Sequence, residues 1–380
     1  MAKSIMMLHG SSDIYGASKI FFNTAVLLHE NGYKVYIVLS EDGPLGDMLR
    51  GAGITVLICK LAILRRKYFN LKGLMNRYVA FKNARKVLDQ IVEEHNIEMI
   101  YSNTAAVLVG AFVAKKRNIK HIWHLHEIIE KPFYFSKLMG SIINRYSNKV
   151  IVVSGEVKKH WRKYVAEHKI ITIHNGLDYL PYTTSVSSIK NELGIEDDQI
   201  LIGMVARVNL WKGQKYFLKL AALLAKKYNN VRFVLAGDAY PGYEYLQDEL
   251  NEIIKAEGLG NVVFDLGFRS DIPNILKGLD IFVLPSISPD PLPTVVLEAM
   301  ASGRPVIATS HGGALEMVDD FNTGILIPWD DSKIAADYIS HLVRDQDARK
   351  KMGAAGEQRV LDLFSKKQYD KHLLQTVVAL

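Results

Sequence analysis

The stretch Asp290-Pro-Leu-Pro-Thr-Val-Val-Leu-Glu298-Ala-Met-Ala-Ser-Gly303-Arg-Pro305 joins a buried strand to a helix. The apolar run Ile281 to Pro285 before it is typical of a buried strand, whereas Thr294 to Ser302 has helical composition and ends at Gly303. Pro293 fits the first helical turn, because the amide that proline lacks would have no intrahelical partner there. A strand that leads through a short turn into a helix is the unit of a parallel α/β sheet.

The start of this helix favours a phosphate. The amides of Thr294 and Val295 are expected to point out of the helix N-terminus, which carries a partial positive charge. Asp290 before the turn and Glu298 within the helix can accept hydrogen bonds from hydroxyls on either side of that phosphate, an arrangement that suits a sugar nucleotide. The alternative is a Pro-rich turn and a core helix whose glutamate is solvated.

The same alternation of strand and helix runs along nearly the whole chain. It predicts doubly wound parallel sheets of class α/β, and the length of 380 residues favours two domains, joined by a linker at Leu180 to Ser188. The strands predicted in the first half are Ser4 to Leu8, Lys34 to Leu39, Thr55 to Cys59, Met99 to Ser102, His121 to Leu125, Lys149 to Val153 and Ile170 to Ile173. Those in the second half are Leu201 to Val205, Arg232 to Ala236, Val262 to Leu266, Ile281 to Leu284, Pro305 to Ala308 and Gly324 to Ile327.

The amino-acid composition restricts the class of protein and its cellular compartment. The only cysteine, Cys59, excludes an internal disulfide and a cysteine-based metal cluster, which fits a reducing cytoplasm. The longest apolar run, Ala105 to Ala114, is too short to span a bilayer, and the N-terminus reads as a first strand rather than a signal peptide.

The net charge of +7 is unevenly distributed, at +12 over residues 1–180 and −5 over the remainder. A basic half can attract nucleic acid, an anionic membrane or a phosphorylated substrate, although solvated helix faces explain it equally well. No nucleic-acid-binding signature is present, so we expect no nucleic-acid partner.

Four further sites contain residues that could take part in chemistry. Arg207 and Lys212 follow a strand, and together they suit a pyrophosphate, although two loop cations are more often solvated. The loop from Gly10 to Gly16 resembles a phosphate-approach loop, or is a plain turn before an N-capped helix. The other two sites follow the strands that end near Leu125 and Leu266.

After the first of these strands, His126 could donate a hydrogen bond to a sugar hydroxyl, and Glu127 could orient that histidine or bind an acceptor hydroxyl. A buried, satisfied histidine is the commoner alternative. After the second, Phe268 and Arg269 could contact a base, or form an ordinary loop in which Asp271 caps the next helix. No metal-binding motif is present in the sequence, so metal-independent chemistry is favoured.

As a set, these residues resemble the retaining glycosyltransferases of family 4, which have the GT-B fold of two Rossmann-like domains facing an interdomain cleft. The similarity extends from the Gly10 loop to the end of the chain. The matching residues, in order, are Gly16, His126, Ser154, Asn175-Gly-Leu-Asp178, Arg207, Lys212-Gly213, Ala236-Gly237-Asp238, Gly267, Asp290 to Glu298, and Gly303-Arg-Pro-Val-Ile-Ala308.

The resemblance implies a UDP- or GDP-sugar donor, no metal or other cofactor, and a role for each matching residue. Arg207 and Lys212 would hold the diphosphate, Glu298 the ribose, and Asp290 and His126 the transferred sugar. The remaining donor contacts would be Gly16, Gly237, Phe268, Arg269, Thr294 and Val295, with Ser12 and Glu127 on the acceptor side. The last helix would return to the first domain, so that the N-terminal acceptor domain contains residues 1–180 and about 363–380 and the donor domain residues 181–362.

Two departures from the family pattern bear on sugar specificity. The family usually has glutamate at the position of Asp290, and often Gly-Phe-Gly in place of Pro291-Leu292-Pro293. Aspartate is one methylene shorter, and Pro293 removes an amide that could contact the sugar or phosphate, so we expect a different sugar preference.

The predicted activity is transfer of the sugar to a saccharide or lipid-diphosphate-linked acceptor in cell-surface polysaccharide synthesis. The leaving diphosphate would help to deprotonate the acceptor on the front face of the sugar. The protein would be cytoplasmic, with the basic first half, including Arg65, Arg66 and Lys67, in contact with the inner face of the membrane. The alternatives are a nucleotide-sugar epimerase or hydrolase on the same fold, and a catalytically silent sugar-nucleotide-binding subunit.

Overall fold

The computed structural model describes residues 3–14, 16–63, 68, 70–129, 132–240 and 242–380, and the chain divides into two compact units. Unit 1 contains Met1–Gly176 and Lys366–Leu380, and unit 2 contains Leu177–Ser365. Arg65, Arg66 and Lys67 lie outside the described residues, so the prediction that they contact a membrane has no structural counterpart. Among the residues described, none of the helices combines the length and apolar character that a membrane crossing requires.

Unit 1 is built on a parallel sheet of seven strands. The strands are β1 (Ser4–His9), β2 (Lys34–Leu39), β3 (Thr55–Ile58), β4 (Met99–Asn103), β5 (Lys120–Leu125), β6 (Lys149–Val152) and β7 (Ile170–Thr172). The helices between them are α1 (Gly16–Glu30), α2 (Pro44–Gly51), α3 (Leu71–Glu94), α4 (Val109–Arg117), α5 (Phe133–Tyr146) and α6 (Gly155–Trp161). The strand order β3-β2-β1-β4-β5-β6-β7 reverses between β1 and β4.

The central strands of unit 1 explain why its sequence reads as continuous apolar runs. Every residue of β1 and β4 is buried, and Met6 and Leu8 of β1 belong to the same core cluster as Leu88 of α3 and Val113 of α4. A parallel strand covered on both faces has no solvent side, so apolar residues occupy consecutive rather than alternate positions.

Unit 2 contains a second parallel sheet, of six strands. The strands are β8 (Ile200–Val205), β9 (Val231–Ala236), β10 (Val263–Asp265), β11 (Ile281–Leu284), β12 (Val306–Thr309) and β13 (Gly324–Ile327). The helices are α7 (Leu180–Thr184), α8 (Ile189–Glu192), α9 (Gln214–Lys227), α10 (Tyr245–Ala256), α11 (Ile272–Gly278), α12 (Thr294–Ala301), α13 (Ala314–Met317), α14 (Ser332–Arg344) and α15 (Gln346–Leu363). The order β10-β9-β8-β11-β12-β13 reverses between β8 and β11.

These two reversals locate the ligand-binding edges. In open α/β sheets a ligand binds outside the carboxyl ends of the strands, where the strand order reverses and the flanking loops diverge. In unit 1 the loops at this point follow β1 and β4, and in unit 2 they follow β8 and β11. The second pair of loops contains the predicted phosphate-binding residues.

The final helix, α16 (Lys366–Val378), belongs to unit 1. It contacts α1, and the buried Tyr369 hydroxyl lies 2.5 Å from the Thr24 hydroxyl oxygen. Leu373 and Val377 on the same helix are also fully buried. The first unit is therefore discontinuous in sequence, closed by a segment from the other end of the chain.

The boundary between the units differs from the predicted one, and the predicted linker Leu180 to Ser188 contains helix α7. Leu177 forms a bridge with Ser365, and the Tyr179 hydroxyl donates to the carbonyl of Phe364 at 3.0 Å. Helix α7 contacts α11 and α12. These contacts attach the residues from 177 onward to unit 2 before residue 180 is reached, and residues 363–365 belong to unit 2 as well.

The predicted strands are all present, and their ends differ from the structure by no more than one residue. The helical composition of the sequence also predicts helices over Ser18 to Asn31 and Leu71 to Glu94. Helix α3 has the second of these bounds, whereas α1 begins at Gly16 and ends at Glu30. Strand β10 is shorter than predicted because the Val262 amide bonds to the carbonyl of Leu259 in the preceding turn.

Candidate functional site

In unit 2, the loop after β8 presents Arg207 and Lys212 at the carboxyl edge of the sheet. The Arg207 guanidinium lies 3.4 Å from the centroid of the Tyr240 ring, a cation–π contact that fixes the plane of the side chain. The Lys212 amide donates to the Asn209 side chain at 2.9 Å, which closes the loop. Tyr240 is a site residue that the sequence did not reveal, because it lies in a loop after another strand.

Lys212 and Asp290 form an ion pair, with side-chain exposures of only 17% and 14%. The prediction assigned Lys212 to the diphosphate and Asp290 to the transferred sugar, and the structure brings both charges to one place. The Asp290 carboxylate supplies the counter-charge to the Lys212 ammonium. The pair is thus a partly desolvated charge centre at the end of β8 and β11.

Two glycines hold the backbone around Asp290. The amide of Gly313 donates to the Asp290 carbonyl at 2.7 Å. A Cβ on Gly312 would lie 2.4 Å from the same carbonyl oxygen, and the φ of Gly312 is +64°. Only glycine permits this approach, so the position of the Asp290 carboxylate depends on the loop after β12.

Helix α12 begins after Pro293, which is the N-cap and not a residue of the first turn as predicted. Its ψ of 106° is extended, and its carbonyl accepts the Val296 amide at 3.0 Å. The missing proline amide therefore lies just outside the helix. Thr294 and Val295 are the first two helical residues, whose amides have no acceptor within the helix.

Glu298 lies one turn further along α12 and is only 4% exposed. The Tyr182 side chain hydrogen-bonds to it. Burial first, and then the negative charge of Glu298, raise the pKa of both Tyr182 and Tyr179. Glu298 is therefore not the solvated residue of the alternative interpretation, since it is buried with a tyrosine hydroxyl as a partner.

Tyr182 is a second residue that the sequence analysis missed. It lies four residues after Asp178, the end of the quoted Asn175-Gly-Leu-Asp178 motif, within the predicted linker. Its spacing from the motif was the available signal. Its contact with Glu298 spans more than a hundred positions and required the tertiary structure.

Gly237 connects the loops after three neighbouring strands. Its amide donates to the carbonyl of Gly267 at 2.7 Å, and its φ is +139°. A Cβ there would lie 2.0 Å from the Ala206 carbonyl oxygen. Because the Gly237 amide already bonds to the carbonyl of Gly267, any contact of Gly237 with a nucleotide sugar has to use its Cα or its carbonyl.

Phe268 and Arg269 differ in their availability to a ligand. The Phe268 ring is 62% exposed, whereas the Arg269 guanidinium binds the carboxylates of Asp271 and Glu192. Bonding to Arg269 lowers the pKa of Asp271. Asp271 is the N-cap residue of α11, but its side chain forms no capping bond, so the predicted cap is replaced by this ion pair.

In unit 1, a chain of hydrogen bonds crosses the carboxyl edge of the sheet through Asn103, the last residue of β4. The Asn103 side-chain nitrogen lies 3.0 Å from His9 Nδ1, and its oxygen lies 2.9 Å from His126 Nε2. His9 Nε2 lies 2.9 Å from the Ser18 hydroxyl. Asn103 is the third residue that the sequence analysis missed, since neither of its partners is near it in sequence.

This network of hydrogen bonds determines the tautomers of His9 and His126. Because the Asn103 amide nitrogen donates to His9 Nδ1, the Asn103 oxygen accepts a hydrogen bond from the protonated Nε2 of His126. Burial first, then the nearby His124 and His9, lower the pKa of His126 well below 6.5. With Nε2 bonded to Asn103, the second nitrogen of the neutral His126 ring is Nδ1, a hydrogen-bond acceptor.

Glu127 binds the backbone rather than the imidazole. Its Oε2 accepts the amides of Ala105 at 3.1 Å and of His126 at 3.0 Å. Burial is the largest influence on Glu127 and raises its pKa. Glu127 therefore contacts His126 through the main-chain amide of that residue.

Ser12 and Gly16 lie in the loop after β1 and at the start of α1. Ser12 is buried, and its carbonyl accepts the Leu45 amide at 3.0 Å. Gly16 is the first residue of α1. Over the ranges that the structure describes, no group of three or more His, Cys, Asp or Glu side chains is arranged to hold a metal ion.

Comparison with known families identifies both units. Residues 14–179 match the family described as Glycosyltransferase Family 4, and residues 185–359 match Glycosyl transferases group 1. The chain belongs to glycosyltransferase family 4. This glycosyltransferase has two parallel-sheet α/β domains of the GT-B class, as predicted, and it is an enzyme.

Two curated relatives and one solved structure cover most of this glycosyltransferase. The UDP-Gal:alpha-D-GlcNAc-diphosphoundecaprenol alpha-1,3-galactosyltransferase of Escherichia coli is 26% identical, over 87% of this chain and 85% of its own. The N,N'-diacetylbacillosaminyl-diphospho-undecaprenol alpha-1,3-N-acetylgalactosaminyltransferase of Campylobacter jejuni is 25% identical, with 94% of each chain covered. The structure of Anabaena Alr3699/HepE in complex with UDP and glucose has a TM-score of 0.85 and 26% identity, and 99% of each chain is covered.

Proposed function

We propose that this glycosyltransferase moves a sugar from a UDP-sugar to a saccharide hydroxyl on a lipid-diphosphate acceptor, with retention of anomeric configuration. The observation that carries the proposal is the charge centre of unit 2, where Lys212 pairs with Asp290 in the loop that leads into α12, and Arg207 follows the neighbouring strand β8. UDP is preferred to GDP because the Anabaena structure holds UDP and the E. coli relative is named for UDP-Gal. The acceptor class follows from the names of the E. coli and C. jejuni relatives.

The proposed donor complex uses unit 2. Arg207 and Lys212 bind the diphosphate, supported by the first amides of α12, and Glu298 accepts hydrogen bonds from the ribose hydroxyls. Phe268, with its exposed ring, lies after β10 and can stack on the base. Asp290 contacts the transferred sugar once the diphosphate shares Lys212.

The proposed reaction takes place on one face of the sugar. The bond from the anomeric carbon to the diphosphate oxygen breaks as the acceptor oxygen forms a bond on the same face. The acceptor proton passes to the departing diphosphate oxygen, so no separate base is required. Preorganised cations stabilise the developing negative charge without reorganisation, and this is the role assigned to Arg207 and Lys212.

Unit 1 provides the acceptor side in this proposal, with Ser12, Gly16 and Glu127 shaping the loops around His126. Neutral His126 presents Nδ1 to a hydroxyl of the transferred sugar or of the acceptor. The cellular setting proposed is the cytoplasmic face of the membrane during surface-polysaccharide assembly. This setting follows from the lipid-borne acceptors for which the relatives are named.

The test is acceptor-dependent release of nucleotide. The enzyme is incubated with UDP- and GDP-sugars, with and without a synthetic saccharide carried on a lipid diphosphate, and the product anomer is assigned by NMR. Transfer that requires the acceptor and yields the donor's anomeric configuration supports the proposal. Donor consumption without acceptor would instead show a hydrolase or epimerase, and donor binding without turnover a silent binding subunit.

A matched pair of variants tests the assignment of the charge centre. Lys212→Gln should abolish most transfer, since it removes a cation from the leaving diphosphate. Lys215→Gln, three residues along the chain, removes a lysine that is exposed and paired with Glu249. Equal activity in the two variants would contradict the proposed role of Lys212.

A further inference from the structure

The first half of α3 exposes an apolar stripe to solvent. From Leu71 to Asn83, all described, no residue of this helix is buried. The apolar residues in this half repeat at helical spacing, and Leu71 is 89% and Met75 65% exposed. We define the α3 face as the exposed apolar residues Leu71, Leu74, Met75, Tyr78 and Val79 with the cations Lys82, Arg85 and Lys86.

The spacing of this stripe is the one that a helix normally buries. Positions i, i+3, i+4, i+7 and i+8 form one side of a helix, and in a globular domain that side faces the core. The core contacts of α3 come instead from Phe81 onward, through residues such as Leu88 and Val92. A contiguous exposed apolar patch of this kind marks a surface that binds another apolar surface.

The charges on the same helix indicate the kind of surface. From Leu71 to Leu88 the sequence contains no acidic residue. It does contain five basic ones, Lys72, Arg77, Lys82, Arg85 and Lys86. An amphipathic helix with apolar residues on one side and cations beside them is suited to the interface of an anionic bilayer.

The α3 face lies at the same edge of the unit 1 sheet as the proposed acceptor residues. A helix of 24 residues is about 36 Å long, whereas the six residues of β1 extend about 20 Å. Because the second half of α3 packs on the sheet, the first half extends past its carboxyl edge. The exposed side chains of Phe133, Tyr134 and Leu138 on α5 begin at the same edge, which also contains His126.

We propose that the α3 face docks on the surface of an anionic membrane, a role that rests on the proposed lipid-linked acceptor. Docking there would bring the carboxyl edge of unit 1 to the headgroup region, where a diphosphate-linked saccharide emerges from the bilayer. A second copy of the chain is a poor match for this face, because two such faces would bring cations against cations without an intervening anion.

The experiment measures binding of the full chain to vesicles. Cosedimentation is compared for vesicles of phosphatidylglycerol with phosphatidylcholine and vesicles of phosphatidylcholine alone. The triple variant Met75→Ser/Tyr78→Ser/Val79→Ser should lose at least about tenfold in partition coefficient, since it removes most of the inserted apolar surface. The control Ile334→Ser/Leu361→Ser changes similarly exposed apolar residues of unit 2 and should bind as the wild type does.

A second variant isolates the electrostatic part. Lys82→Gln/Arg85→Gln/Lys86→Gln should bind anionic vesicles about a hundredfold less tightly, because each cation near an anionic surface contributes about fivefold. Its binding should also depend less steeply on salt. If either triple variant binds anionic vesicles as tightly as the wild type does, the proposal is overturned. Self-association that the apolar variant abolishes, without vesicle binding by the wild type, would overturn it in favour of a second copy.

Activity separates failure of this inference from failure of the proposed function. Transfer to a water-soluble acceptor that lacks the lipid chain should be unchanged in both triple variants, because the α3 face does not include the residues assigned to donor or sugar. If the wild type binds anionic vesicles but transfers to no acceptor, the proposed function fails while the membrane assignment stands. If the wild type transfers the sugar normally and does not bind anionic vesicles, the membrane assignment fails while the proposed function stands.

Discussion

Replacing Asp290 by asparagine tests whether this carboxylate competes with the donor diphosphate for Lys212. The two side chains form an ion pair and are largely shielded from water. Asparagine leaves Lys212 without a counter-charge in that partly desolvated site. Removing one partner of a fully buried pair costs about 3–5 kcal/mol, and for this partly exposed pair we expect about 2 kcal/mol.

A loss of about 2 kcal/mol corresponds to a decrease of about 4–8 °C in the unfolding midpoint of a unit of this size. Nucleotide binding should change in the opposite direction. In the wild type the diphosphate must share Lys212 with Asp290, whereas in Asp290→Asn the phosphate supplies the missing charge. We expect UDP to bind about 5- to 30-fold more tightly, from a relief of about 1–2 kcal/mol.

Sugar transfer should nevertheless decrease, because Asp290 is the proposed contact with the transferred sugar. The assays are calorimetric titration with UDP, thermal unfolding with and without UDP, and the initial rate of transfer. Asp290→Glu restores the charge, so it should recover the wild-type affinity for UDP.

Asp280→Asn is the matched control. Asp280 also forms an ion pair in unit 2, with Lys190 at 2.7 Å, but it lies at the opposite end of β11. This variant should lose stability without a change in UDP affinity. The competition between Asp290 and the diphosphate is refuted if Asp290→Asn binds UDP no more tightly than the wild type. GDP replaces UDP in both assays if it is the nucleotide that the wild type binds.

Three further predictions concern other parts of the fold. Tyr182→Phe removes the hydroxyl that bonds to Glu298, so the ratio of the affinities for UDP and its 2′-deoxy analogue should fall about tenfold. Calorimetric titration measures both affinities. An unchanged ratio would exclude a role of Tyr182 in positioning Glu298. Three buried histidines have pKa values lowered by burial, to about 4 in His9 and about 3 in His121 and His124. The unfolded chain protonates these histidines near pH 6.5, whereas the folded chain does not, so the free energy of unfolding should fall as pH decreases from about 6.5 to 4. Chemical unfolding at a series of pH values measures this free energy. A free energy of unfolding that stays constant over that range would contradict the prediction. Gly237→Ala places a Cβ against the carbonyl of Ala206 at positive φ and should lower the unfolding midpoint by at least about 5 °C, whereas Gly260→Ala, with open space around it, should leave it unchanged.

The strands and most helices of this enzyme could be predicted from the sequence because their signals are local. A parallel strand covered on both faces requires consecutive apolar residues, so β8 and β11 are visible as short apolar runs. Helix α3 was predicted with its full length, although its sequence did not reveal which half would be buried. That distinction depends on how far the sheet extends beneath the helix.

The Asp290 to Glu298 stretch illustrates the division within the site. The turn, the helix after it and the presence of two acids follow from the order of residues. The sequence could not show that Asp290 forms an ion pair with Lys212, or that Glu298 is buried against Tyr182. Both partners are distant in the chain. The order of strands brings Lys212 to Asp290, and the packing of α7 on α12 brings Tyr182 to Glu298.

The sequence by itself thus determined the class of fold, the family and the residue types available for binding a nucleotide sugar. The tertiary structure decided which of those residues contact one another, which histidine nitrogen carries the proton, and which helix side remains exposed. The physical reason is that strand and helix formation depend on neighbours within a few positions. Ion pairs, tautomers and burial depend on groups that meet only after the sheets have formed.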